Sequence, residues 1–185
     1  MNNNIKKSFG IPIGIDYYNV IAFSNNVKSK DIEKSYVRIN SNNIFCGYKY
    51  QCVEYVRRWL ILNYGITFQE VDFAYKLYTL DNIKFTNIWN KNNISYKKYP
   101  NGSTFIPTIG SIIVWDENKN YTTGHVAIVT KTDNDYVYIA EQNWDNMNWK
   151  NQYSRKLHIN KINNNIILKD NNQYNLMILG WLNLT

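Results

Sequence analysis

Cysteine and histidine are scarce in this chain, with two of each among its 185 residues. Two cysteines, Cys46 and Cys52, cannot form the disulfide framework that stabilises a small secreted domain, and we expect no bridge between them. No group of His, Cys, Asp and Glu residues has the spacing of metal ligands, and no glycine-rich phosphate-binding loop occurs. We therefore expect neither a metal ion nor a cofactor.

Long apolar runs are also missing. Residues 10–15 are too few to span a membrane or to form the core of a secretion signal, and Pro12 interrupts them. We therefore expect no signal peptide, no transmembrane segment and no membrane partner. Together with the few cysteines, this favours a reducing, cytoplasmic location.

Charged residues make up only 19% of the chain, although Lys and Arg outnumber Asp and Glu by 21 to 14. The resulting net charge is +7, but the basic residues are scattered, with a few adjacent pairs such as 6–7, 57–58 and 97–98. A nucleic-acid groove needs a denser basic stripe, so we expect no nucleic-acid partner. The length and the 44% hydrophobic content fit one domain over residues 1–185.

The first half of the chain has helical patterns. Apolar residues recur at spacings of three and four, which predicts a helix over about 51–64 with Gly65 as its C-terminal cap. Further helices are predicted over about 70–80 and 82–90, and residues 34–44 are interpreted as irregular.

The second half has extended patterns. Strands are predicted there at residues 111–115, 126–130, 136–141, 166–170 and 177–182. One further strand is predicted in the first half, at residues 20–23. Helices followed by antiparallel strands indicate an α+β fold.

Cys52 is a candidate nucleophile. A thiol attacks as the thiolate, and both a helix N-terminus and a nearby imidazolium lower its pKa. Gln51 can supply an amide donor to a developing oxyanion, beside the backbone N–H of Cys52. The alternatives are that Cys52 is a small buried residue beneath the apolar stripe and that Gln51 bonds to nearby backbone.

His125, at the start of a predicted strand, is a candidate base, although a core histidine is the alternative. If the following turn centres near Asp133, His125 lies opposite Glu141 in the hairpin. That carboxylate can set the imidazole tautomer and leave the second ring nitrogen for a thiol. A slip of one residue would bring Gln142 opposite instead. Asn143, on the same side as Glu141, could orient the imidazole or contact substrate.

Arg57 can reach the cleft rim and pair with a substrate carboxylate, although a solvated helix face is its alternative. Arg58 is assigned to that solvated face. Glu54 is assigned to the helix surface or to a pair with one of the two arginines. His158 has no acidic neighbour and is assigned to a surface strand.

These motifs resemble the CHAP superfamily, which comprises cysteine- and histidine-dependent amidohydrolases and peptidases. Within it the chain is most similar to the amidase domain of glutathionylspermidine synthetase/amidases, and the likeness runs from about Phe9 to the end. The matching segments are 51–60, 62–65, 99–103, 110–116, 123–130, 140–143 and 178–181.

The resemblance implies a papain-like fold with N-terminal helices packed on an antiparallel sheet. It implies that Cys52 is the nucleophile, His125 the base and Glu141 its orienting acid. It further implies that Arg57 holds the glutathionyl part, with Gln51 and Asn143 near the reacting carbonyl.

The implied reaction hydrolyses the amide of glutathionylspermidine, or of a similar small peptide–polyamine conjugate, through a thioester on Cys52. The resemblance does not include a synthetase module, so the substrate could differ. Trp144, Trp149 and the stretch 144–152 could reshape the rim beside Asn143. The alternative functions are a peptidoglycan amidase or endopeptidase and a non-catalytic binding domain.

Overall fold

The computed structural model describes residues 5–26 and 33–185, and most of its regular elements are strands. Helix α1 runs Cys52–Tyr64, and the single turn α2 covers Lys76–Thr79. No helix in this described part of the chain is long and apolar enough to cross a membrane. The strands are β1 (Pro12–Ile15), β2 (Ile21–Phe23), β3 (Lys34–Ile39), β4 (Asn42–Tyr48), β5 (Ile66–Phe68), β6 (Phe85–Asn87), β7 (Asn93–Ile94), β8 (Tyr96–Pro100), β9 (Ile112–Trp115), β10 (His125–Thr132), β11 (Tyr136–Ala140), β12 (Arg155–Ile162), β13 (Asn165–Lys169) and β14 (Ile178–Leu184).

A seven-stranded sheet in the order β13-β12-β11-β10-β9-β14-β8 forms the body of the fold. Every neighbouring pair in it is antiparallel. Both faces of the central strands β9 and β10 are buried, which explains the continuous apolar runs at these positions.

Helix α1 packs on one face of this sheet. Val56 and Leu60 of the helix share a buried cluster with Val126 and Ile128 of β10. The opposite sheet face is covered by a second buried cluster that includes Trp115, Leu157 and Trp181. This packing fixes the position of the helix on β10 and places the helix N-terminus beside the start of that strand.

The predicted helix over 51–64 and its cap at Gly65 are confirmed. Gly65 has a φ of +63°, and its N–H donates to the carbonyls of Ile61 and Leu60. A left-handed residue at this position ends the helix and satisfies its last carbonyl groups. The predicted strands are also confirmed as β2, β9, β10, β11, β13 and β14.

The expectation of several N-terminal helices is wrong. Only Lys76–Thr79 is helical within the predicted helix 70–80, and residues 85–87 of the predicted helix 82–90 form β6. Strand β6 pairs with β5 and β7. Phe85 of β6 is buried, and its ring centroid lies 5.5 Å from that of Phe68 on β5. The antiparallel partners supply the backbone hydrogen bonds that a helix would make internally, so tertiary pairing overrides the local pattern.

The interpretation of residues 34–44 as irregular is also wrong. They contribute to the antiparallel hairpin of β3 and β4, with Asn40 at its turn in a left-handed conformation of φ +54°. Along β3, Ser35 and Val37 are buried while their neighbours are exposed, which is the alternation of a half-buried strand. This hairpin packs against α1.

Candidate active site

The site lies where the N-terminus of α1 meets the start of β10 and the end of β11, two inner strands of the large sheet. Cys52 is the first residue of α1, and its side chain lines a cavity of about 540 Å³ together with Gln51, Arg57 and Asn143. Gln51 has extended backbone and makes no side-chain cap. The first N–H groups of the helix and its positive dipole end therefore face the thiol.

His125 lies at the start of β10 because Gly124 permits a tight entry into that strand. Gly124 has a φ of +60°, and a Cβ there would lie 2.7 Å from the carbonyl oxygen of Trp115. His125 then pairs with Trp115 across β9 and β10. The imidazole is completely buried, and its Nε2 lies 2.8 Å from Oε2 of Glu141.

The predicted contact between His125 and Glu141 is present, but the predicted hairpin register is wrong. The ladder pairs Ile128 with Ala140, two residues from the expected match, and a bulge interrupts it between Val129 and Lys131. Strand β11 ends at Ala140, so Glu141 lies just beyond the ladder. An even shift keeps a side chain on the same face of a sheet, and Glu141 therefore still reaches His125.

The second nitrogen of His125, Nδ1, is buried without a hydrogen-bond partner among the residues that the structure describes. The thiol of Cys52 is close enough to the imidazole for its charge to act on the pKa of the ring. Burial lowers the pKa of His125. The interactions with Cys52, followed by those with Glu141, outweigh burial and raise this pKa to about 9. The arrangement favours the imidazolium form of His125.

Glu141 is held by more partners than the sequence indicated. Arg155 donates to its two oxygens over 2.6 and 3.1 Å, and Ser154 donates from Oγ over 2.7 Å. Burial raises the pKa of Glu141, but the charge of Arg155 and the bonds from His125 and Arg155 bring it well below its usual range. Sequence reasoning missed both residues because no motif joins β12 to the end of β11.

Asn143 contacts Gln51 instead of the imidazole. Its Nδ2 donates to Oε1 of Gln51 over 2.8 Å, and its backbone has a φ of +55°. Since the oxygen of the Gln51 amide is engaged in this way, its NH2 group is available to donate towards the cavity. Of the two groups that could orient the imidazole of His125, Glu141 makes the contact, and Asn143 bonds to Gln51 instead.

Arg57 lies deeper than the expected cleft rim. Its side chain is buried, and its guanidinium lies 4.3 Å from the ring centre of Phe68. The two terminal nitrogens donate to backbone carbonyls, that of Cys46 over 2.7 Å and that of Gln69 over 3.1 Å. The guanidinium lines the cavity while it ties β4 to the end of β5.

The assignment of Arg58 to a solvated helix face is wrong. Arg58 is half-buried and forms a salt bridge of 2.7 Å with Glu54, which is itself buried. Gln142 joins this pair, donating to Glu54 over 2.8 Å and accepting from Arg58 over 3.1 Å. The β3–β4 hairpin and Gln142 cover this side of the helix. Both are distant from Arg58 in the local sequence pattern, so that pattern did not indicate that Arg58 and Glu54 would be buried.

Several other side chains have definite places. Both cysteines are free and buried, and His158 is exposed on β12 as predicted. Trp144 lies beneath the site against His125, and Trp149 packs against Tyr55 and Gly14, so neither shapes the rim in the way that we expected. Within residues 5–26 and 33–185, no three His, Cys, Asp or Glu side chains are grouped as metal ligands.

This combination of fold and site belongs to a known class of protein. Residues 43–143, more than half of the chain, match the CHAP domain family, and the chain belongs to that family. Its members are typically hydrolases and amidases.

Among characterised relatives, the chain is 33% identical to the bifunctional glutathionylspermidine synthetase/amidase of Escherichia coli (strain K12), over 94% of this chain and 29% of that protein. It is 35% identical to trypanothione synthetase of Crithidia fasciculata, over 63% of this chain and 18% of that protein. It is 30% identical to endolysin PlyTW of Staphylococcus phage Twort, over 60% of this chain and 23% of that protein. The chain spans less than a third of the length of each of these relatives.

Proposed function

We propose that this protein is a cysteine amidase that hydrolyses glutathionylspermidine or a similar peptide–polyamine amide. The observation that carries the proposal is the buried His125, which bonds to Glu141 through Nε2 and has Nδ1 available to Cys52 at a helix N-terminus. The proposed substrate class is supported by the match of 94% of the chain to a glutathionylspermidine synthetase/amidase.

In the first step, Sγ of Cys52 attacks the amide carbonyl as a thiolate, with His125 as the imidazolium partner. The oxygen of the carbonyl becomes an oxyanion, which the backbone N–H of Cys52 and the NH2 group of Gln51 stabilise. His125 then donates its proton to the leaving amine, and the C–N bond breaks to leave a thioester on Cys52.

In the second step, water replaces the amine. Neutral His125 takes a proton from the water as it attacks the thioester, and the tetrahedral intermediate releases the Cys52 thiolate and a free carboxylic acid. Glu141 keeps one ring tautomer throughout and stabilises the imidazolium. Asn143 supports the site by holding the Gln51 amide in its orientation.

The cavity suggests how the two ends of such a substrate would bind. Arg57 contributes positive charge for a carboxylate of the peptide part, although two of its nitrogens already bond to backbone carbonyls. Glu70 and Asp72 line the same cavity and supply negative charge for the ammonium groups of a polyamine. The proposed partner is therefore a small molecule that carries a carboxylate on its peptide part and ammonium groups on its polyamine part.

The test is hydrolysis of synthetic glutathionylspermidine by the purified chain, followed by mass spectrometry. We expect release of glutathione and spermidine by the wild type and none by Cys52→Ala. Cys46→Ala is the matched control, because it removes the other buried thiol, and should retain activity. Intact substrate after incubation with the wild type would refute the proposed substrate.

The second candidate function is hydrolysis of a peptidoglycan amide. It is favoured by the 30% identity over 119 residues to a phage endolysin and by the net charge of +7, which suits an anionic cell wall. Zymography on wall preparations tests it. A lysis band that is lost in Cys52→Ala, from a protein that leaves glutathionylspermidine intact, would establish this second function instead.

A further inference from the structure

Trp144 lies against two polar side chains at the centre of the site, His125 and Arg155. Its ring centroid lies 4.6 Å from that of His125, and the guanidinium of Arg155 lies 4.1 Å from the centre of the ring. Trp144 is only 7% exposed. One indole therefore touches the imidazole and also the arginine that binds Glu141.

The indole is itself held in place. The carbonyl of Trp144 accepts from the hydroxyl of Tyr174 over 2.9 Å, and the ring of Tyr174 meets the indole edge to face at 4.8 Å. The preceding residue, Asn143, bonds to Gln51. A change in the position of Trp144 would therefore disturb the imidazole side and the oxyanion side of the site together.

Arg155 is fixed from two directions. It binds both oxygens of Glu141, and its third contact is to Oδ1 of Asp170 over 2.7 Å. Oδ2 of Asp170 accepts from the indole N–H of Trp115 over 2.9 Å, and the Trp115 ring lies 5.5 Å from that of His125. The contacts thus form a closed ring that begins and ends at the imidazole.

We propose that Trp144 and Arg155 are positioning residues for His125, which they hold in the orientation that directs Nδ1 towards Cys52. The proposal rests on the proposed role of His125 as the base. Trp144 covers one side of the imidazole, and the electron-rich face of its indole favours the imidazolium form. Arg155 keeps Glu141 ionised and prevents its rotation away from Nε2.

Other charged or titratable groups surround the imidazole and must stay constant in any test. They are Cys52 on α1, Tyr121 before β10, Glu141 and Asp145 after β11, Arg155 on β12, Asp170 just after β13 and Tyr174 before β14. Substitution of Trp144 removes none of these groups, so its effect on His125 can be measured separately.

The first experiment compares Trp144→Phe with Trp144→Leu by NMR titration of the full chain. The protein has two histidines, so the signal of His125 is assigned by loss of the other signal in His158→Gln. Phe and Leu are both apolar, but only Phe presents an aromatic face to the imidazole. We expect the titration midpoint of His125 to be lower in the Leu variant than in the Phe variant by about half to one pH unit.

Equal midpoints in the two variants would overturn the proposed role of Trp144. Trp89→Phe is the matched control, because Trp89 is 58% exposed and packs near Gly65 instead of the site. It should leave the His125 midpoint at the wild-type value. If Trp144→Leu fails to fold, a comparison of Trp144→Phe with the wild type gives the same test, with a smaller expected decrease.

The second experiment compares Arg155→Lys with Arg155→Met. Lysine keeps the positive charge but cannot bind both oxygens of Glu141. We expect the rate at which iodoacetamide alkylates Cys52 at pH 7 to fall by about tenfold or more in both variants, because Glu141 no longer holds the imidazole in place. A lower melting temperature with an unchanged alkylation rate would assign Arg155 a purely structural role.

These measurements also distinguish this proposal from the proposed function. Titration of His125 and alkylation of Cys52 need no substrate, so they remain informative if the wild type leaves glutathionylspermidine intact. With an active substrate, a Trp144 or Arg155 variant that only destabilised the fold would contain less folded enzyme, while its KM and its pH profile would stay unchanged. We expect instead that kcat falls and that the pH profile shifts while KM stays within about twofold of the wild type.

Discussion

At the scale of single residues, the proposed chemistry depends on several charged side chains that are buried together at the site. His125 and Glu141 are both almost completely inaccessible, and their contact is only 2.8 Å long. Such a pair is favourable only when all of its polar atoms have partners, and Arg155 and Ser154 complete the set for Glu141. The remaining open position, Nδ1 of His125, is where the thiol is needed.

The first prediction concerns Glu141→Gln. An amide cannot stabilise the imidazolium, so the pKa of His125 should fall from about 9 and the base should be held less well. We expect kcat/KM to fall by about 10²- to 10⁴-fold and the alkaline limb of the pH–rate profile to move to lower pH. Glu117→Gln, at an exposed position, is the control and should leave both unchanged.

The second prediction compares the two cysteines. Burial, followed by the negative charge of Glu54, raises the pKa of Cys46 to about 11, so this thiol should stay protonated at neutral pH. Iodoacetamide at pH 7 should therefore label Cys52 first, and Cys52→Ala should remain unlabelled over the same period. Peptide mass spectrometry measures the order. Faster labelling of Cys46 would argue for the non-catalytic alternative.

At the scale of elements, the position of α1 decides whether Cys52 can act. The helix begins at Cys52, ends at Gly65 and packs on β10 through Val56 and Leu60. The buried contacts among Glu54, Arg58 and Gln142 fasten its first turn, and Gln142 also donates to the carbonyl of Gln51. These contacts keep the helix N-terminus aligned with the end of β11.

The third prediction concerns Gly65→Ala. The new Cβ would force a left-handed conformation on an L-residue and would lie 2.8 Å from Nε1 of Trp89. We expect a loss of about 1–2 kcal/mol in the free energy of unfolding, measured by urea denaturation. Leu62→Ala, at a helical position that is 51% exposed, is the control and should cost less. Equal losses of unfolding free energy in Gly65→Ala and Leu62→Ala would mean that the left-handed cap at Gly65 does not contribute to stability.

At the scale of the whole molecule, the two opposed titrations set how stability depends on pH. The folded pKa of His125 is raised above its unfolded value of about 6.5, so its contribution is complete below pH 6.5 and is lost as the pH rises through about 9. The folded pKa of Glu141 is depressed, so its contribution is present above its ordinary pKa of 4.5 and is lost as the pH falls below that value.

The fourth prediction is therefore a maximum of stability between about pH 4.5 and 6.5 from these two groups. On the alkaline side, the shift of His125 from 6.5 to about 9 corresponds to a loss of about 3 kcal/mol. Urea denaturation of the full chain from pH 4 to pH 10 measures this dependence. The alkaline decline should be much smaller in His125→Gln, and an equal decline there would assign it to other groups.

Much of the fold and of the site could be predicted from local sequence signals. The helix at 51–64 and its cap at Gly65 follow from apolar spacing and a terminal glycine, and the main strands follow from apolar runs of the right length. The candidate residues Cys52 and His125 were recognisable because each stands beside such an element boundary. These signals are local, and at these positions the tertiary packing agrees with them.

The tertiary structure alone decided the rest, because the causes lie far apart in the chain. Pairing with β5 made residues 85–87 of the predicted helix 82–90 a strand, and the position of the turn together with a bulge in β10 left the hairpin register two residues from the predicted one. Arg155 reaches Glu141, and Trp144 lies against His125, only because folding brings β12 and the segment after β11 together. The sequence by itself determined which groups could do the chemistry, and long-range packing determined which of them meet.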